Sequence, residues 1–183
     1  MDNCILKMEK IIEPFIRESE REFHVREVAK LLNKSPTTIS KYLKEYKSKK
    51  ILISESKLNH LLFKADTSSK EFKQLKLNYN FSSINKSGII EFLENYFNQP
   101  EAIVLFGSFS KAEDNKNSDI DLLIISSKKQ EPNLEKFEKK LKHKIQLFVH
   151  SRDELNQLKK VNKELFNNWI NGITIKGYFE VIK

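Results

Sequence analysis

The sequence predicts an α+β chain whose C-terminal part is a small α/β unit. Three observations carry this. Helical apolar stripes and one pair of short apolar runs fill the N-terminal third. A polar break, ADTSSK, follows at residues 65–70. From residue 87 onward, β-branched apolar runs alternate with helical stripes, the order expected of strands and helices packed in layers.

Ile5, Met8, Ile12, Phe15 and Ile16 repeat at helical spacing and predict a first helix over 4–17. Val25, Val28, Leu31 and Leu32 predict a second, broken by Asn33-Lys34. Ser35 is a good N-cap and Pro36 suits the first helical position, where no N–H is needed. Ile39, Tyr42, Leu43 and Tyr46 form the stripe of a third helix. ILISESKLNHLLF, residues 51–63, reads as a hairpin.

Residues 71–84 are expected to be a connecting helix. Ser87 opens a helix to about Phe97, and Pro100 closes it. Strands are expected at AIVLF (102–106), IDLLII (120–125) and IQLFV (145–149), with a helix over 134–141 between the last two. Ser151 and Glu154 have capping-box spacing and start another helix. A further helix covers about 162–171, ends at Gly172, and a last short strand lies within 173–179.

Composition narrows the classes. Hydrophobic residues are 39% and charged residues 32%, as in a soluble globular protein. No apolar run approaches the ~20 residues of a membrane helix. The first fifteen residues mix charge into their apolar positions, unlike a signal peptide. Cys4 is the single cysteine, which excludes an internal disulfide and suits a cytoplasmic setting. The net charge of +8 favours a polyanionic partner. It is concentrated: residues 34–64 hold eight lysines against two glutamates, a net of +6.

That basic stretch coincides with the helix pair and hairpin. With Ile39, Leu43 and Tyr46 facing in, Thr37, Ser40, Lys41 and Lys44 face out and can reach bases and phosphates. Lys57, Asn59 and His60 fall near the hairpin tip. His60 by itself reads as an ordinary surface histidine. The phrase VREVAKLLNKSPTTISKYLKEYKSKKIL resembles winged helix-turn-helix domains. The resemblance implies a DNA-binding domain over residues 1–70, double-stranded DNA as partner, and contacts from Thr37, Ser40, Lys41, Lys44 and Lys57. Such domains commonly dimerise, so a homodimer is expected.

The second constellation is VLFGSFSKAEDNKNSDIDLLII. A buried strand ends at Phe106. Gly107 and Ser108 then open a turn whose backbone N–H groups and hydroxyl can hold phosphate oxygens, and the missing Cβ of Gly107 leaves room for a ligand. Asp119 and Asp121 stand two apart at a strand start, so both carboxylates project from one face. Hard oxygen ligands beside a phosphate-binding turn favour Mg²⁺.

Gly-Ser, a spacer and Asp-x-Asp resemble the signature of the DNA polymerase beta-type nucleotidyltransferase superfamily, its small prokaryotic "minimal" members above all. Gly107, Ser108, Ser118, Asp119 and Asp121 match. The resemblance implies a nucleotidyltransferase fold with a mixed sheet over 87–183, joined through 71–86. It implies Gly107, Ser108, Lys111 and Ser118 as nucleotide-binding residues, Asp119 and Asp121 as catalytic metal ligands, Mg²⁺ as cofactor, and an NTP, with ATP the expected one, as substrate. The transferred group would be a nucleoside monophosphate, the acceptor a hydroxyl of a protein or nucleic acid.

Four positions depart from the pattern. Ala112 stands where the family usually has glycine, and Phe109 stands where it often has arginine; Lys111 replaces another such arginine but keeps the charge. The third carboxylate is expected at Gln146, a neutral amide. Two readings therefore stay open: an enzyme that transfers a nucleotide, or a DNA-binding transcriptional regulator whose degenerate C-terminal domain senses a nucleotide or dimerises.

Overall fold

The computed structural model describes residues 2–57 and 60–180, with side chains from Lys10 onward. The expected stripe positions Ile5 and Met8, and Asn59 of the hairpin, lie outside the described residues or side chains. The chain divides into two compact units, Met1–Lys76 and Leu77–Lys183. Among the described residues no helix is long and apolar enough to cross a membrane.

In the first unit the order is α1 (Asp2–Arg17), β1 (Phe23–His24), α2 (Val25–Leu31), α3 (Pro36–Ser48), β2 (Leu52–Lys57) and β3 (His60–Ala65). Ser35 caps α3 as its chemistry requires: its hydroxyl accepts the Thr38 N–H at 3.2 Å, and Pro36 follows. β2 and β3 form the expected antiparallel hairpin, from Leu52 opposite Ala65 to Lys57 opposite His60. The two-residue β1 adds to the other edge of β3. It is too short for a period-2 signal, so no pattern in the sequence marks it. Phe15, Phe23, Val28, Ile39, Leu43, Leu52 and Phe63 fill the core.

Leu31 corrects an expectation. It is 59% exposed, while Val28 and Ala29 are buried. A helix advances 100° per residue, so a buried face through 28 and 29 passes 32 and leaves 31 to one side. The small Ala29 hides the true centre of that stripe from an apolar-spacing argument.

α4 (Lys70–Ser87) carries the chain from the first unit into the second. There follow α5 (Ile89–Tyr96), β4 (Ala102–Phe106), α6 (Gly107–Lys111), β5 (Ile120–Ile125), α7 (Glu135–Leu141), β6 (Ile145–His150), α8 (Arg152–Val161), α9 (Lys163–Ile170) and β7 (Ile173–Gly177). The expected helix start at Ser87 moves to Ile89. Gly88 takes the capping position with φ 82°, and the Ser87 hydroxyl accepts the Ile89 N–H at 3.1 Å. The sheet order is β6-β5-β4-β7. β4 is antiparallel to both neighbours, whereas β5 and β6 are parallel.

Both faces of this sheet are covered. Ile103, Leu105, Leu122 and Ile124 pack with Ile84, Leu93, Phe109, Phe137 and Leu141 on one side. Val104, Phe106, Leu123 and Ile125 pack with Leu155, Phe166 and Trp169 on the other. This is why AIVLF and, after Asp121, LLII are continuous apolar runs rather than alternating ones. The fold is mixed α+β, with a helix-rich first unit and a mixed-sheet second unit.

The capping box of α8 forms in full, Ser151 and Glu154 exchanging side-chain and backbone hydrogen bonds. Lys129 also donates to Glu154, and this bond above all holds the Glu154 carboxyl down at about 2. A depressed carboxyl stabilises the fold above its ordinary value near 4.5 and loses that contribution as pH falls towards about 2. Glu154→Gln is therefore expected to lower the melting temperature at neutral pH. The gap to the parent should shrink as pH falls through that window, in melts followed by circular dichroism. A gap independent of pH would refute the ion-pair account.

Candidate functional site

The strand-to-helix junction after β4 builds the site. Gly107 is the first residue of α6 and has φ 68°, a left-handed conformation that suits glycine. A Cβ there would collide with Asp121 Oδ2 and come within 3.2 Å of its Cγ. The expected reason for the glycine, room for a ligand, is thus incomplete: the Asp121 carboxylate itself lies against the Gly107 backbone. The N–H groups of a helix's first turn have no partner within the helix, so this end presents donors beside that carboxylate.

α6 is short, and Ala112 ends it with φ 56°. The position where glycine is usual is indeed left-handed, and alanine occupies it under strain. Phe109 is buried, its ring edge-on to His143 at 4.9 Å. Its side chain belongs to the core and leaves polar contacts to others. Ser108 is half-buried, and Lys111, in the last turn, is exposed.

The loop back to β5 is tied down internally. Asn80 Nδ2 donates to Asp114 Oδ1 at 2.7 Å and to the Phe109 carbonyl at 3.3 Å. The Ser118 hydroxyl accepts the Asn115 N–H at 2.9 Å. The Ser118 carbonyl meets His143 Nδ1 at 2.8 Å; a carbonyl only accepts, so Nδ1 carries the proton. The Ser118 side chain therefore closes the loop that delivers Asp119. His143 is not among the residues expected from the sequence, where its position just before a strand is the one available signal. An open cleft lined in part by Lys116, Ser118, Asp119, Lys142, His143 and Lys144 adjoins it.

Asp119 immediately precedes β5 and Asp121 is its second residue. Asp121 is partly buried, and this burial, with the charge of Asp119 second, raises its carboxyl above the ordinary range. The parallel register sets Gln146 of β6 opposite Asp121. Gln146 Nε2 donates to Asp119 Oδ2 at 3.1 Å. Among the described residues, no group of three or more His, Cys, Asp or Glu side chains gathers as a metal site.

The family "Polymerase beta, Nucleotidyltransferase" matches residues 87–178, half of the chain. The chain belongs to this family. The nucleotidyltransferase domain so defined includes β4, α6, β5 and β6, the elements that carry Gly107, Asp119, Asp121 and Gln146. No curated protein matches the chain. A solved structure of a Lactococcus lactis ZitR mutant is similar over 48% of this chain and 60% of that one, at 15% identity and a TM-score of 0.36, a likeness too slight to carry any argument.

In the first unit, Thr37, Ser40, Lys41 and Lys44 line one open groove together with His24, Val25, Arg26 and Pro36. His24 and Arg26 are additions to the expected set. They enter because His24 caps α2, its Nδ1 accepting the Arg26 N–H at 3.1 Å, at the end of α2 that lies beside α3 in this groove. His60 packs edge-on to His24 at 5.1 Å. Lys57 stands apart from the groove lining, ion-paired with Glu22 at 2.7 Å and Glu55 at 3.3 Å. The hydrogen bond to Glu22, then that to Glu55, raises its ammonium group above the ordinary lysine value.

Proposed function

We propose that the nucleotidyltransferase domain binds a nucleoside triphosphate, ATP in the first instance, with Mg²⁺, and that the N-terminal unit binds double-stranded DNA. The observation that carries the first part is the packing of Asp121 against Gly107. It sets the Asp121 carboxylate, which feels the charge of Asp119, against the first residue of α6. Two neighbouring carboxylates, one of them held above its ordinary range, fit one divalent cation that also takes phosphate oxygens. Mg²⁺ bound there would offset part of the charge of the triphosphate and the aspartates. Asp119 and Asp121 would hold it, Gly107, Ser108 and Lys111 would orient the phosphates, and Ser118 would keep the Asp119 loop in place.

In transfer, an acceptor hydroxyl oxygen forms a bond to the α-phosphorus while the bond from that phosphorus to the bridging oxygen breaks. Pyrophosphate leaves, and the hydroxyl proton goes to a base. Gln146 is a poor base, which favours a second reading: a DNA-binding regulator whose domain holds a nucleotide without consuming it.

Labelled ATP with Mg²⁺, added to the full chain alone and with candidate protein or nucleic-acid acceptors, separates the two. Label transfer that vanishes in Asp119→Ala supports the enzyme. Retention without transfer supports the regulator, and absence of binding refutes the nucleotide role. For DNA, the slope of log affinity against log salt is expected to shrink by about 0.9 for each of Lys41→Ala and Lys44→Ala that removes a phosphate contact. Unchanged slopes would refute the groove assignment.

A further inference from the structure

We infer that the nucleotide site takes a single divalent cation, and that Gln146 is the residue that limits it to one. The inference rests on the proposal that Asp119 and Asp121 hold a nucleotide-bound cation. A pair of ions ~3.5–4 Å apart needs anionic oxygen on both sides to offset their mutual repulsion. The parallel pairing of β5 with β6 sets Gln146 opposite Asp121, where a third carboxylate would complete such a cradle.

The amide there does two things against a second ion. It brings no charge, so the site offers two negative charges and not three. It also uses a lone pair of Asp119 Oδ2 by donating to it at 3.1 Å. A carboxylate oxygen only accepts, so the amide must turn its nitrogen and not its oxygen towards Asp119. In that hydrogen bond the group presented to Asp119 is a donor and not a cation ligand. Among the described residues no cluster of three acids, histidines or cysteines supplies the missing ligand. The domain then keeps the ion that accompanies the triphosphate and lacks the one that would ready an acceptor hydroxyl.

The test counts ions. The full-length protein is saturated with a non-hydrolysable ATP analogue and passed through gel filtration in Mn²⁺-containing buffer. Manganese and nucleotide in the protein peak are measured by mass spectrometry and absorbance. The parent chain is expected to carry one Mn²⁺ per nucleotide and Gln146→Glu two. Gln146→Met, which removes the hydrogen bond without adding charge, is expected to stay at one. Gln146 is exposed, so these variants should fold, and a thermal melt checks it. Two ions in the parent, or one ion in a folded Gln146→Glu protein, overturns the inference. A peak without nucleotide overturns the proposed nucleotide role and the inference with it, a result distinct from either.

Discussion

Asp121→Asn is expected to weaken ATP–Mg²⁺ binding by at least ~100-fold and, in the ion-free protein, to raise the melting temperature at neutral pH. The binding loss follows from removing one of two anionic ligands. It should exceed the ~10–100-fold typical of losing an outer support of a metal site. The stability gain follows from the sign of the Asp121 shift. Burial first, and Asp119 second, raise its folded carboxyl above the ordinary value. The folded state therefore holds the proton more tightly than the unfolded state, and ionisation at neutral pH costs stability.

Asparagine has no charge to bury. Its advantage should shrink as pH falls through the raised value and vanish below the ordinary value of 3.8, where the parent becomes protonated in both states. Nucleotide titrations at neutral pH, and melts without divalent ions across about pH 3.5–8, read the two effects separately. Unchanged nucleotide affinity would remove Asp121 from the site, and coincident melts at every pH would refute the buried-charge account.

Gly107→Ala should damage both the fold of the domain and its nucleotide site. Its φ of 68° costs an alanine roughly 1–2 kcal/mol. The new Cβ must also displace the Asp121 carboxylate, with whose Oδ2 it would collide. With about 4–8 °C of melting temperature per kcal/mol in a domain of this size, a fall of roughly 10 °C is expected, with loss of nucleotide binding. Gly88→Ala isolates the collision. Gly88 has φ 82° and nothing within 4 Å of its would-be Cβ, so it bears the backbone cost alone. Gly107→Ala should also cost less in an Asp121→Ala background, where the clash is gone. Equal costs for the two glycines, or strict additivity with Asp121→Ala, would show that the glycine serves backbone geometry only.

The residues behind these expectations are partly legible in the amino-acid sequence itself. Ser35-Pro36 and the Ser151–Glu154 box mark helix starts because caps act over three residues, within reach of local sequence. AIVLF and IDLLII mark buried strands because helices cover both faces of their sheet. The Gly-Ser turn and the aspartate pair are legible because spacing along a strand fixes which side chains share a face. β1 is not legible, since two residues carry no period. Nor is the exposure of Leu31, because apolar spacing alone cannot locate the centre of a seven-residue helix.

Short-range periodicity and capping fix the element order apart from β1 and α6, the mixed α+β class and the acidic pair behind a glycine turn. That β6 runs parallel beside β5 is a matter of long-range packing. That pairing joins residues 27 positions apart and makes Gln146, marked beforehand only by the family resemblance, a donor to Asp119. The same holds for the close approach of the Asp121 carboxylate to Gly107, where a Cβ would collide. Strand order and close approach depend on what packs across the chain, and no local pattern encodes them.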